Sequence, residues 1–261
     1  MHLALTNPLP WVLGSLGLAV IATNLAWLAL RAARRAPAPG GLWGGLEPLI
    51  WLLTALFLFL PPIGAWWAGA LSPYLMGLSE TDWVDSLVSG GVLAAASGGI
   101  IVFGWLVYRH KLPPRPRAES SVRPWLAPID AALLQWHWAF YRAGVIGWLS
   151  LVLKMKSLAP GTFLAQVAEQ PLYWGSWLGM ILVAAEWALN PFARSALCTS
   201  EDSPVCASAA ERTVIRMALA VVTTALFVAT RNFWLSLACH VIVETTIVCF
   251  LPVPAVTATS E

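Results

Sequence analysis

The chain has 261 residues, 59% of them hydrophobic and 11% charged, with a mean hydropathy of +0.72. Soluble domains carry roughly 25% charged residues, so composition excludes an ordinary soluble domain and points to an integral membrane protein. The formal charge of +2 comes with no dense basic stripe, and no nucleic-acid partner is expected.

Taken in chain order, the first apolar run covers residues 9–30, lacks a basic leader and reaches span length. It is read as a retained helix, closed by Arg31, Arg34 and Arg35. The Pro37-Ala-Pro-Gly-Gly41 breaker follows, then a second span at 48–70. Pro61-Pro62 should kink or break that span, and Glu47 should cap its start in the interface. An acidic loop, 79–85, leads into a third span at 86–108, where Gly91, Ala95 and Gly99 suggest a small-residue packing ridge. The loop from Arg109 to Arg123 is basic and broken by prolines. Basic clusters after spans one and three place that loop in the cytoplasm and the N-terminus outside.

Residues 125–157 mix Asp130, Gln135, His137, Arg142, Lys154 and Lys156 with Trp125, Trp136, Trp138 and Trp148. Their longest apolar stretch, 143–153, is too short to cross a hydrocarbon core of about 30 Å, so a long amphipathic helix at the cytoplasmic interface is expected. Three more spans are expected within 171–251, at 171–189, 213–229 and 233–251. A polar loop, 191–212, carries Cys198 and Cys206. A non-crossing 125–157 segment puts that loop outside, where a disulfide can form, and a crossing one keeps both thiols reduced. The expected fold is all-α and polytopic, with about six transmembrane helices and one interfacial helix in a single membrane domain. Trp is over-represented, with 16 residues against 4 Tyr and 9 Phe, as suits membrane interfaces in contact with lipid.

No nucleophile elbow, phosphate loop, dinucleotide fingerprint or H-E-x-x-H motif occurs. The candidates for chemistry are the ionisable groups at membrane depth, which are costly and therefore informative: Glu186, His240 and Glu244, with His137, Asn190 and Asn232 behind them. His240 and Glu244 are four apart and share a helical face, where they can hydrogen-bond, share a proton or offer two ligands to one divalent metal ion. Glu186 could then be a third ligand, leaving an open position for a water. Alternatively His137 and His240 could each ligate the magnesium of a (bacterio)chlorophyll, in a chain that also binds carotenoid, quinone or lipid.

The stretch Thr230-x-x-x-Trp234-x5-His240-x3-Glu244 resembles the last motif of the CPBP family, the CAAX-protease and bacteriocin-processing intramembrane proteases. Upstream, Ala185-Glu186-Trp-Ala-Leu189-Asn190-Pro191 resembles that family's E-E-x-x-F-R-G, with Ala185 in place of the first Glu and Asn190 in place of the Arg. The resemblance covers the C-terminal third and implies a metal-dependent endopeptidase centre on Glu186, His240 and Glu244. Glu244 stands where the family has Asn or Asp, usually Asn, and no histidine occurs between Glu186 and His240 to match its middle motif. The reading is therefore a divergent CPBP-like protein that is not an efficient protease, seated in a bacterial inner membrane. The order of elements in the first two thirds is also similar to the C-terminal part of the large antiporter-like subunit of proton-pumping NADH dehydrogenases. That likeness implies an alternative: an accessory subunit of a respiratory or photosynthetic complex, packed against partner membrane proteins.

Overall fold

The computed structural model describes residues 6–33, 39–79, 83–111, 126–154, 162–198 and 204–250. The protein is all-α and polytopic. Its helices are α1 (Pro8–Ala33), α2 (Pro39–Trp67), the short α3 (Pro73–Met76), α4 (Trp83–Lys111), α5 (Ala127–Lys154), α6 (Phe163–Glu169), α7 (Pro171–Leu189), α8 (Pro191–Cys198), α9 (Pro204–Thr230) and α10 (Phe233–Thr245). A π-helical turn, Thr246–Phe250, continues α10. Among the described residues five stretches are long and apolar enough to cross a membrane: Pro8–Ala32, Leu49–Trp67, Trp83–Lys111, Pro171–Leu189 and Ala210–Thr230. Phe233–Val248 is apolar but shorter.

Prolines open many of these helices, as expected for a residue that lacks the N–H a first turn cannot use. This explains two departures from the sequence reading. Helix α2 starts at Pro39 rather than near residue 48, so Glu47 lies inside the helix instead of capping it. The 191–212 loop is helical over Pro191–Cys198 and again from Pro204, where Ala207, Ala209 and Ala210 favour helix. Pro61 and Pro62 do not interrupt α2, which runs on to Trp67. Apolar helices tolerate such prolines where neighbours and local adjustment satisfy the freed carbonyls. Several hydroxyls inside the apolar helices are satisfied internally: Thr23, Thr54, Ser97, Ser150 and Ser176 each donate to the carbonyl four residues back, at 2.6–2.8 Å. The side chains of Cys198, Cys206 and Glu47, the loop 112–125 and the tail from 251 lie outside the described residues.

The chain forms two compact units, residues 1–80 with 136–194, and residues 81–135 with 195–261. In the first, α5 from Trp136 onward is the centre. Residues 137–147 are all buried, rather than one-sided as in the amphipathic interfacial helix expected for 125–157. Small residues make this possible. A Cβ on Gly179 of α7 would lie 2.7 Å from Arg142 Cα, and one on Gly175 would lie 2.8 Å from Ile146 Cα, so backbone meets backbone. On another side Gly144 and Gly147 admit Val12 and Pro8 of α1. Val145, Leu149 and Val167 form the apolar core there, with Trp148, Leu178 and Leu182 against it.

In the second unit α4, α9 and α10 pack on one another. Ile215, Leu219, Leu226, Cys239, Val243 and Ile247 make its core. The packed stripe of α4 is Ser86, Gly90 and Gly98, which are buried, while Val84, Val88, Val92, Ile100 and Phe103 on other faces are 68–74% exposed. The ridge is therefore one residue out of register with the Gly91, Ala95, Gly99 expectation. Cys239 is a free, buried thiol whose Sγ lies 3.9 Å from the Ala94 carbonyl, a packing residue.

Candidate functional site

The turn between α9 and α10 sets up the second unit's polar centre. Arg231 takes a left-handed conformation (φ 53°) that reverses the chain. Asn232, fully buried, then caps α10: its Oδ1 accepts the Leu235 N–H at 3.1 Å, and its Nδ2 donates to Ser86 Oγ at 3.1 Å. One turn on, Ser236 Oγ donates to the Thr223 carbonyl at 3.2 Å, tying α10 to α9. Asn232, Ser236, His240 and Glu244 thus form one buried polar stripe at four-residue spacing.

His240 is 0% exposed and Glu244 1%, and His240 Nε2 lies 3.1 Å from Glu244 Oε2. The expected pair is buried and hydrogen-bonded. Its surroundings were not expected. Arg212 and Arg216, themselves four apart on α9, turn both forks onto Glu244 Oε1, with Arg212 Nε and Nη2 at 2.9 and 2.7 Å and Arg216 Nε and Nη2 at 3.0 and 2.5 Å. Both guanidinium groups also donate to Asp130 Oδ2 near the start of α5, Arg212 Nη2 at 2.9 Å. Two arginines and two carboxylates cancel in charge. Gln135 Oε1 lies 3.2 Å from His240 Nδ1 and completes the cluster.

This arrangement leaves Glu244 no idle oxygen. Charge-assisted, forked bonds are among the strongest a carboxylate makes, so releasing one to a metal ion or a water is unfavourable. Near the α4 end of the unit, Arg109 pairs with Glu211 at 3.0 Å and stacks over Trp105.

Glu186 belongs to the first unit and has other partners. The close α5–α7 approach at Gly175 and Gly179 continues along the same face of α7 to Glu186, which is buried. Its Oε2 accepts from Tyr141 Oη at 2.7 Å and lies 3.0 Å from His137 Nε2. Burial, reinforced by the Glu186 carboxylate, pushes the Tyr141 phenol well above its ordinary range, which keeps it a donor. Asn190 is the C-cap of α7, and its Oδ1 accepts the Phe192 N–H at 2.9 Å to start α8.

Compared with protein-family models, with curated proteins and with solved structures, the chain matches none.

Sequence reasoning grouped Glu186, His240 and Glu244 as one ligand set. Among the described residues no three His, Cys, Asp or Glu side chains are gathered so as to hold a metal ion. Glu186 is engaged with His137 and Tyr141, and Glu244 with His240, Arg212 and Arg216. His137, expected as a secondary candidate for chemistry or as a pigment ligand, is 1% exposed and packs against Tyr141, Phe57 and Phe140, with ring centroids 4.5, 6.0 and 6.3 Å away. Arg216 was missed. Its signal was available as a second arginine one turn after Arg212 at the start of an apolar helix, where a lone charge is expensive.

Proposed function

We propose that the protein is a divergent CPBP-like membrane protein in which the His240/Glu244 pair has become a structural clamp and no longer cleaves peptides. One observation supports this reading: both forks of Arg212 and Arg216 end on Glu244, with His240 on its other oxygen. A carboxylate held this way stabilises helix packing and is poorly placed to activate a water. Glu at the position where the family usually has Asn fits the same role, since a carboxylate offsets the arginines' charge and a neutral amide does not.

The test is reconstitution of the purified chain in liposomes with a panel of membrane-anchored reporter peptides, prenylated C-terminal peptides included. No cleavage is expected, with or without added divalent metal, and His240→Gln is expected to lower thermal stability. Cleavage by the wild-type chain that a well-folded His240→Gln variant lacks would overturn the proposal. Chlorophyll-like, carotenoid or quinone absorbance in a mild-detergent preparation, together with stoichiometric partner proteins, would favour the accessory-subunit role instead.

A further inference from the structure

The His137 ring is hydrogen-bonded at one nitrogen, and the other has no partner among the described residues. Its Nε2 faces Glu186 Oε2 at 3.0 Å, and that same oxygen takes the Tyr141 hydroxyl proton at 2.7 Å. An oxygen already accepting from Tyr141 is an acceptor for His137 too, so the imidazole proton sits on Nε2. Nδ1 then carries an unshared pair. Among the described residues it has no hydrogen-bond partner, although the side chain is 1% exposed. Buried polar atoms of folded proteins are rarely left so, because the lost hydration is not recovered.

The alternative protonation states do not remove the problem. A proton on Nδ1 alone would leave Nε2 facing a carboxylate oxygen without a hydrogen between them. A doubly protonated ring would bury an N–H donor with nothing to receive it. The flanking rings of Tyr141, Phe57 and Phe140 offer no acceptor at Nδ1. An N–H given to a carboxylate at one nitrogen is also the arrangement of histidines that hold a ligand through their second nitrogen.

We infer that His137 Nδ1 is a binding site for one small O–H donor, with Glu186 and Tyr141 as positioning residues that fix its tautomer. The donor is either a buried water or the hydroxyl of a lipid-soluble molecule, and both make the same O–H to Nδ1 hydrogen bond. The site lies in the first unit and uses none of the residues of the Glu244 clamp; it takes Glu186 as the partner of His137 and Tyr141 rather than as a metal ligand, and to that extent rests on the proposed loss of a protease centre.

Solid-state ¹⁵N NMR of the full chain in lipid bilayers tests this. The chain has 4 histidines, and the signal of His137 is the one lost in His137→Gln. The expected result is a protonated Nε2 and an unprotonated Nδ1 with the shift of a hydrogen-bonded nitrogen. A cross-peak from Nδ1 to exchangeable water protons, kept after delipidation, identifies water. A hydrogen-bonded shift that disappears on delipidation and returns with added lipid extract identifies an amphiphile hydroxyl. Either result supports the site. A protonated Nδ1, or an unprotonated one with the free-nitrogen shift in both preparations, would overturn it. Glu186→Gln keeps an oxygen on Nε2–H but removes the charge. It is expected to weaken the hydrogen bond at Nδ1 while leaving the tautomer unchanged, an effect loss of packing alone would not give.

Discussion

Gln135 Oε1 lies 3.2 Å from His240 Nδ1, on the edge of the ring away from the nitrogen that meets Glu244 at 3.1 Å. A neutral imidazole has one N–H and cannot donate to both oxygens. A doubly protonated ring could, but it would add a positive charge to a cluster whose arginines and carboxylates already cancel. Gln135 Nε2 is buried and has no partner among the described residues. Turning that amide over places an N–H on Nδ1, so a neutral ring with its proton on Nε2 is satisfied at both nitrogens, and the amide oxygen takes the position without a partner among the described residues. Gln135→Leu is then expected to cost about 1–3 kcal/mol, the usual penalty for stranding a buried acceptor. Thermal unfolding in detergent measures it, and an unchanged melting temperature would remove Gln135 from the cluster.

Glu244 is the hub of that cluster, and its loss should be felt more than the loss of either arginine. Glu244→Ala leaves two guanidinium groups facing only Asp130. Breaking a buried ion pair by removing one partner typically costs about 3–5 kcal/mol. The arginine side chains are 21% and 18% exposed, so water relieves part of the strain and the lower end is expected. Arg212→Ala leaves Arg216 on both carboxylates and should cost less than Glu244→Ala. Equal losses from the two substitutions would mean that the arginines do not share the carboxylate.

On α4, the two glycine pairs give opposite predictions. A Cβ on Gly98 would lie 2.9 Å from Val243 Cγ2, whereas Gly99 has nothing within 4 Å. Gly90 is crowded by Leu235 and Thr230, and Gly91 is open in the same way. Gly98→Ala should destabilise by about 1–3 kcal/mol through overpacking. Gly99→Ala should be neutral or stabilising by up to about 1 kcal/mol, since alanine is the better helix former. Matched unfolding curves of the two variants decide which face of α4 is packed.

That register shows what the sequence could and could not convey. Long apolar runs reveal helices because each hides its backbone bonds within itself, and every expected span coincides with a helix. Four-residue spacing, by contrast, fits two neighbouring faces equally well when Gly90-Gly91 and Gly98-Gly99 are both doublets. The face is chosen by Asn232 reaching Ser86, a contact across 146 positions that no local pattern encodes. The His240/Glu244 pair was legible because both members sit on one helix. Arg212, Arg216, Asp130 and Gln135 join it from two other helices, and His137 joins Glu186 in the same way. The polar content of α5 suggested an interface because its charge-bearing residues had no visible partners. The small residues Ala139, Ala143, Gly144 and Gly147 were the available sign of close packing.

Gly179 gives the sharpest test of how α7 positions Glu186. Its α-carbon faces the backbone of α5, where a Cβ would come within 2.7 Å of Arg142 Cα and 2.8 Å of Arg142 N. Backbone cannot rotate aside as a flexible side chain can, so Gly179→Ala must push the two helices apart. Overpacking of this kind costs about 1–3 kcal/mol. The displacement should extend along α7 to Glu186, which follows two turns later on the same face. Lengthening the 3.0 Å contact to His137 and the 2.7 Å contact to Tyr141 would weaken both hydrogen bonds. The expected outcome is a lower melting temperature together with a changed His137 ¹⁵N signal, while the His240 signal stays as in the wild type. Gly17→Ala on α1, where nothing lies within 4 Å, is the matched control and should leave both signals unmoved. A Gly179→Ala variant that melts early but keeps the His137 signal would show that Glu186 is held by its hydrogen bonds rather than by the glycine approach.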